Sequence, residues 1–110
     1  MVDRSNLQGS LALLILKTLA RGPNHGFGIA LHIQNASEGL LSVEEGSLYP
    51  ALQRLLKQEF VKAAWDTSST NRRVRIYKLT TAGAKHLEQE VSSFERMLEG
   101  ITRVLAPGES

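Results

Sequence analysis

The chain has 110 residues, of which 42% are apolar, and its formal net charge is +2. This length supports one compact domain and leaves too little apolar material for a second. The sequence contains no cysteine, which excludes a disulfide framework and a thiolate metal site and fits a reducing compartment.

The beginning of the sequence carries no targeting signal. Residues 1–6 lack the apolar core of a signal peptide. The apolar run from Leu11 to Leu16 stops at Lys17, far short of the length that crosses a bilayer. We therefore expect neither secretion nor a membrane association, and the cytoplasm is the expected compartment.

Two apolar helices are predicted in the first third of the chain. The first is capped by Ser10 and stopped by Gly22-Pro23. The second begins within residues 24–26 and ends before Glu38-Gly39. Its expected buried side chains are Phe27, Ala30, Leu31 and Ile33.

A third helix is predicted to start at Gly46 or Ser47. With Ser47 as N-cap, Pro50 falls in the first turn, where a missing N–H has no intrahelical partner. Helical spacing divides this segment into an apolar face and a polar, basic face with one aromatic ring. The apolar face consists of Leu48, Ala51, Leu52 and Leu55. The outer face consists of Ser47, Tyr49, Pro50, Gln53, Arg54 and Lys57.

After Lys57 the apolar period changes from helical to alternating, which predicts two strands. One strand carries Val61, Ala63 and Trp65 on the same side, and the other carries Arg75, Tyr77 and Leu79. A short polar tip, residues 67–72, joins them. Three helices followed by a two-stranded ribbon is the order of a winged helix-turn-helix.

Positive charge is concentrated in the third helix and the ribbon. Residues 54–85 hold eight lysines and arginines against two acids, a local charge of +6, whereas the chain after Lys85 is mainly acidic. This confinement favours a polyanionic partner on one face. The alternative is that these cations merely solvate the hairpin.

The last helix is predicted from Thr80 or Thr81 to Leu105, before Pro107-Gly108. Its apolar residues recur at alternating spacings of three and four, as in a coiled-coil seam. A second copy of the chain can supply the long partner helix, and the alternative is packing against the first helix. The seam consists of Ala84, Leu87, Val91, Phe94, Leu98, Ile101 and Leu105.

These residues together resemble the PadR-type transcriptional regulators from about Leu11 to Leu105. The resemblance rests on Asn24-His25-Gly26-Phe27, on Gly46-Ser47-Leu48-Tyr49-Pro50-Ala51-Leu52-Gln53-Arg54-Leu55, and on Arg75-Ile76-Tyr77-Lys78-Leu79-Thr80-Thr81-Ala82-Gly83. It implies a homodimeric winged-helix repressor of the short subfamily with a single C-terminal helix. Such a repressor binds a near-palindromic operator in double-stranded DNA and is released by a small apolar or aromatic effector.

Two positions depart from that pattern. Glu59 stands where such proteins usually have glycine, so either this residue is left-handed, with about 1 kcal/mol of strain, or the turn is built differently. Phe94 stands where relatives often have tryptophan, which weakens the expectation of an aromatic effector site.

The fold class expected is mainly α (α+β), a winged helix-turn-helix with a long C-terminal dimerisation helix. Residues 1–80 form the DNA-binding unit, 81–106 the dimerisation helix and 107–110 a flexible tail. Gln53 is the candidate reader of base edges, because its amide can make paired hydrogen bonds. The candidate DNA-binding residues are Ser47, Tyr49, Pro50, Gln53, Arg54, Lys57, Asn71, Arg72, Arg73 and Arg75. The candidate dimerisation residues are Leu87, Val91, Phe94, Leu98, Ile101 and Leu105.

An enzyme is not expected. His25, His32 and His86 occur singly, without the spacing of a metal site, and are interpreted as surface or capping residues. No cofactor or metal is predicted. The competing function is that of a winged-helix module that binds another protein instead of an operator.

Overall fold

The computed structural model describes residues 4–108, with side chains from residue 10 onward. The ends of two predicted segments, 1–80 and 107–110, therefore lie outside the described residues. The described elements have the mixed α+β order expected of a winged helix-turn-helix. They are α1 (Arg4–Leu19), β1 (Asn24–His25), α2 (Gly26–Ala36), α3 (Glu45–Lys57), β2 (Val61–Thr67), β3 (Arg73–Leu79) and α4 (Thr81–Leu105).

Helix α1 lies against α2, α3 and α4 and supplies much of the core. It begins at Arg4, so the prediction that Ser10 caps it is wrong. No proline precedes Ser10, and the residues before it tolerate the helical conformation. The helix ends as predicted near Gly22, whose φ of 146° lies outside the helical region. The buried apolar residues of α1 are Leu11, Ile15, Leu16 and Leu19.

Helix α2 buries only part of the predicted set: Ile33 is buried and Ala30 is partly buried against the core, as predicted, but Phe27 and Leu31 are not. Ile29 and Ile33 are buried, whereas Phe27 is 70% exposed and Leu31 is 44% exposed. Residues 27 and 31 are one helical turn apart, so both turn away together when Ile29 and Ile33 face α1 and α3. The sequence pattern could not decide between these two apolar stripes.

The start of α2 is fixed by a short strand that the sequence analysis did not predict. Strand β1 pairs with β3, giving a three-stranded antiparallel sheet in the order β1-β3-β2. His25, the second residue of β1, is also the N-cap of α2, and its Nδ1 accepts a hydrogen bond of 3.0 Å from the N–H of Gly28. This confirms the capping interpretation for His25.

Helix α3 begins at Glu45, one or two residues before the predicted start at Gly46 or Ser47, with Glu44 in the N-cap position. Ser47 is therefore inside the helix and does not cap it, and Pro50 lies beyond the first turn. The early start places the Glu45 carboxylate in the first turn, where it is favoured by the helix dipole. The predicted apolar face is confirmed, because Leu48, Ala51, Leu52 and Leu55 are all buried.

The turn after α3 contains a left-handed residue. Glu59 has a φ of 63°. The alternative of a left-handed residue at this position is therefore confirmed, and the alternative of a differently built turn is wrong. The N–H of Glu59 donates to the Leu56 carbonyl, and the N–H of Phe60 donates to the Leu55 carbonyl, each over 3.0 Å. These two bonds form a Schellman motif, which places Glu59 at the position that favours glycine.

Replacing Glu59 by glycine is expected to stabilise the fold by about 1 kcal/mol, because glycine adopts a positive φ without steric cost. The thermal unfolding midpoint should rise by several degrees. The matched control is Gln58→Gly at the preceding residue, whose φ of −79° suits any side chain. That control should lower stability, and a gain there or a loss for Glu59→Gly would contradict this explanation.

Strands β2 and β3 form the wing. Ala63 is opposite Tyr77 and Trp65 is opposite Arg75, so the predicted same-side residues of both strands share one face of the sheet. Toward α3 this face is buried, with Tyr77 only 3% exposed. Toward the tip it opens to solvent.

Helix α4 is 25 residues long and is capped by Thr80, whose Oγ1 accepts a hydrogen bond of 2.9 Å from the N–H of Gly83. Its first half packs on the core: Leu87 is buried, and Val91 is partly buried against the same cluster. Its second half projects from an elongated molecule, 61 Å in its longest dimension. The exposed large apolar residues of this half are Met97, Leu98, Ile101, Val104 and Leu105.

Candidate DNA interface

The outer face of α3 carries the residues that the sequence pattern assigned to it. Tyr49 is 41% exposed, Gln53, Arg54 and Lys57 are exposed, and Ser47 is half-buried. Pro50 is exposed on the same helix. These positions present hydroxyl, amide and cationic groups from one side of a rigid element.

Tyr49 lies against the start of α2. A Cβ on Gly26 would come within 2.7 Å of the Tyr49 hydroxyl oxygen, so the absence of a side chain at residue 26 makes room for the ring. Partial burial raises the pKa of the Tyr49 phenol above its usual value, and the charges of Glu45 and Tyr77 raise it further. A phenol is protonated at neutral pH even without this shift, so the hydroxyl is able to donate a hydrogen bond.

A cleft of about 400 Å³ separates α3 from the wing and the start of α2. Four of the predicted DNA-binding residues meet there: Tyr49 and Gln53 from α3, and Arg73 and Arg75 from β3. The cleft has no acidic lining residue, so cations and aromatic rings dominate its surface. The remaining lining residues are His25, Gly26, Phe27, Trp65, Val74 and Tyr77.

Arg75 occupies the edge of this cleft and is half-buried. Its guanidinium carbon is 5.9 Å from the centroid of the Trp65 ring and 5.8 Å from that of Tyr77. Arg73 is exposed, with its guanidinium carbon 4.9 Å from the Trp65 centroid. Both cations are thus held on aromatic faces.

The tip of the wing is a hydrogen-bonded turn. The N–H of Ser68 donates to the Arg72 carbonyl over 2.7 Å, and Asn71 has a φ of 62°. Asn71 and Arg72 are exposed there and do not line the cleft. The structure therefore divides the predicted wing residues between the tip and the cleft.

Six residues of the cleft were absent from the predicted site: His25, Gly26, Phe27, Trp65, Val74 and Tyr77. For Trp65 the sequence held part of the signal, because alternation along the strand gives the side on which this ring lies. The strand register, in which Trp65 is opposite Arg75, supplies the rest. No local signal distinguished Phe27 from a core residue. Its place in the cleft follows only from the way α2 packs.

Comparison with known proteins agrees with this architecture. Residues 15–89 match the transcriptional regulator PadR-like family. The chain belongs to this family. Its members are transcriptional regulators, so this PadR-like protein is not an enzyme.

Similar proteins include a transcriptional regulator from Clostridium thermocellum, with 25% identity, a TM-score of 0.85, and coverage of 96% of this chain and 99% of that one. Transcriptional regulator YqjI of Escherichia coli (strain K12) is 29% identical over 84% of this chain but only 43% of YqjI. Bacillus subtilis PadR, solved in complex with operator DNA, shares the fold with a TM-score of 0.66. Its identity is 23%, over 74% of this chain and 46% of that one.

Within residues 4–108 no helix has the length and apolarity needed to cross a membrane. The same residues contain no group of three or more histidine, aspartate or glutamate side chains able to hold a metal ion.

Proposed function

We propose that this PadR-like protein is a sequence-specific DNA-binding regulator that acts as a homodimeric repressor on a near-palindromic operator. The proposal rests mainly on the carboxylate-free cleft that joins the outer face of α3 to the arginines of the wing. Such a surface suits a phosphate backbone with bases beside it. The complex of Bacillus subtilis PadR with operator DNA, on the same fold, supports this assignment.

In this proposal the residues of α3 contact the major groove. The Gln53 amide reads a base edge, while Arg54, Lys57 and the Tyr49 hydroxyl contact bases or phosphates. Ser47 lies in the first turn of the helix, where its hydroxyl and the nearby N–H groups can approach a phosphate. Pro50 is exposed beside them and contributes to the shape of the surface that is proposed to contact the DNA.

The wing contacts the DNA next to that groove. Asn71 and Arg72 at the tip reach the minor groove or its edge, and Arg73 and Arg75 neutralise backbone phosphates. In this proposal residues 1–80 act as the DNA-binding unit and residues 81–106 as the dimerisation helix.

The proposed dimer forms through the second half of α4. Leu98 and Ile101 are 50% and 45% exposed in the single chain, and a symmetry-related copy can cover them. Leu87 belongs to the core of its own chain, so the interface begins beyond it, with Val91 and Phe94 at its edge and Leu105 at its far end. Two copies then present two α3 helices to successive half-sites about one turn of DNA apart. A small apolar or aromatic effector that enters this apolar interface is proposed to release the operator.

The decisive experiment measures binding of the purified protein to the DNA upstream of its own coding region. Affinity should fall steeply with salt concentration, because phosphate contacts release counterions, and the protected site should be an imperfect inverted repeat. Absence of salt-sensitive binding to any such duplex would reject the repressor and leave the protein-interaction module as the better explanation.

Substitutions at Gln53 and Arg73 should have distinguishable effects. Gln53→Ala is expected to relax discrimination between operator variants by about 1–3 kcal/mol at one base pair. Arg73→Ala should weaken binding to all sequences alike and reduce the slope of log affinity against log salt by about one. Both can be measured by fluorescence anisotropy with operator and scrambled duplexes. Unchanged affinity in both variants would refute the assigned roles.

A further inference from the structure

The wing carries the single tryptophan of the sequence in an exposed position. Trp65 is 59% exposed, and the chain contains no other tryptophan. A ring of this size contributes most to stability when it is buried. Its exposure on a strand beside two arginines therefore suggests a role outside the core.

The geometry ties Trp65 to both arginines of the cleft. Trp65 is directly opposite Arg75 in the antiparallel register, and Arg73, two residues away, projects from the same face. The guanidinium carbons lie 4.9 Å and 5.9 Å from the indole centroid. One ring thus contacts two cations at the mouth of the cleft.

No acidic side chain on this face of the sheet neutralises the charges of Arg73 and Arg75. The residues of β2 and β3 on this face include no aspartate or glutamate. Asp66, the acid of β2, is on the other face, and its Oδ1 accepts a hydrogen bond of 2.8 Å from the N–H of Thr67. Among the described residues neither Arg73 nor Arg75 is in an ion pair, so their N–H edges remain available to an anion.

We propose that Trp65 is a positioning residue that holds the guanidinium groups of Arg73 and Arg75 ready for DNA phosphates. This inference rests on the proposed DNA-binding function. A guanidinium stacked by its face keeps its N–H donors at the edge, where they can contact phosphate oxygens in pairs. Because the ring restricts two long side chains before DNA arrives, less conformational entropy is lost on binding.

The first test compares three substitutions of Trp65 in the full chain. Trp65→Ala should raise the dissociation constant for a duplex roughly tenfold, the effect of losing two cation–π contacts. Trp65→Phe should restore most of the affinity because it keeps an aromatic face, whereas Trp65→Leu should behave like the alanine variant. Equal affinity in the phenylalanine and leucine variants would overturn the proposal, since apolar bulk alone would then be sufficient.

The second test asks whether Trp65 acts through the arginines. In a chain that already carries Arg73→Ala and Arg75→Ala, adding Trp65→Ala should cause no further loss of affinity. If the role of Trp65 were purely structural, Trp65→Ala would still lower the DNA affinity of the chain that lacks both arginines. A persisting tenfold loss would therefore overturn the inference, and circular dichroism of each variant confirms that the wing is folded.

The third measurement uses Trp65 itself as the probe. Its fluorescence emission, the only tryptophan signal of the chain, should change on titration with a duplex and return at high salt. If the wild-type protein binds no DNA, the proposed function fails. If it binds DNA while Trp65→Ala binds equally well, only the role of Trp65 fails.

Discussion

Leu98→Glu is expected to convert the proposed dimer into monomers. Leu98 lies in the seam of α4 and is half-exposed in the single chain, so the substitution spares the core of the protomer. In a symmetric interface it would bury two like-charged carboxylates, each at a cost of several kcal/mol. The dimer dissociation constant should rise by roughly a hundredfold or more. Sedimentation velocity over a concentration series measures this change directly.

Ser92→Glu is the matched control for this substitution. It adds the same charge to the same helix at an exposed position outside the seam, and should leave the dimer intact. The Leu98→Glu monomer should also lose most of its operator affinity, because a single half-site supports only one reading helix. A dimer that survives Leu98→Glu would show that the two copies meet elsewhere.

Gly83→Ala is expected to destabilise the fold by about 3 kcal/mol, near the upper end of the usual cost of overpacking. A Cβ at this position would overlap the carbonyl oxygen of Phe60, and a backbone atom cannot move aside as a flexible side chain can. That carbonyl also accepts a hydrogen bond of 3.1 Å from the N–H of Thr80. The Phe60 ring stacks on His86, with centroids 4.2 Å apart, so the junction of α3 and α4 is fixed from several directions.

Gly100→Ala, a substitution on the same helix, is expected to have the opposite effect on stability. A Cβ there meets open space, and alanine favours a helix interior over glycine by about 1 kcal/mol. The unfolding midpoint should therefore rise for Gly100→Ala and fall by more than ten degrees for Gly83→Ala. All variants are compared at the same protein concentration, because association between copies would otherwise change the apparent stability. Similar midpoints for both variants would disprove the close approach of α4 to Phe60.

Several features of this protein could be predicted from residue order alone because they depend on local periodicity. Leu48 and Leu52 repeat at helical spacing and are buried, and Ala63 and Tyr77 alternate as strand residues do and pair across the wing. Thr80 caps α4 as predicted. Each of these follows from steric rules that act within a few residues.

The positions of Ser47, Phe27 and Glu59 show where such rules fail. Ser47 is a favourable cap residue, yet α3 starts earlier. Phe27 is strongly apolar, yet packing of the Ile29 stripe turns it to the cleft. Glu59 takes a left-handed conformation because the hydrogen bonds that end α3 and connect it to the wing require one there, whichever side chain is present.

The winged-helix order, the apolar and polar faces of α3, and the family could all be inferred from the order of residues alone. Three-dimensional packing was needed to show that Arg73 and Arg75 share the Trp65 ring, that β1 joins the sheet, and that the second half of α4 stays exposed. The two groups of features differ in the range of the interactions that produce them. Periodicity and capping act over one or two turns of chain, whereas the cleft depends on how α2, α3 and the wing pack over distances that no local pattern specifies.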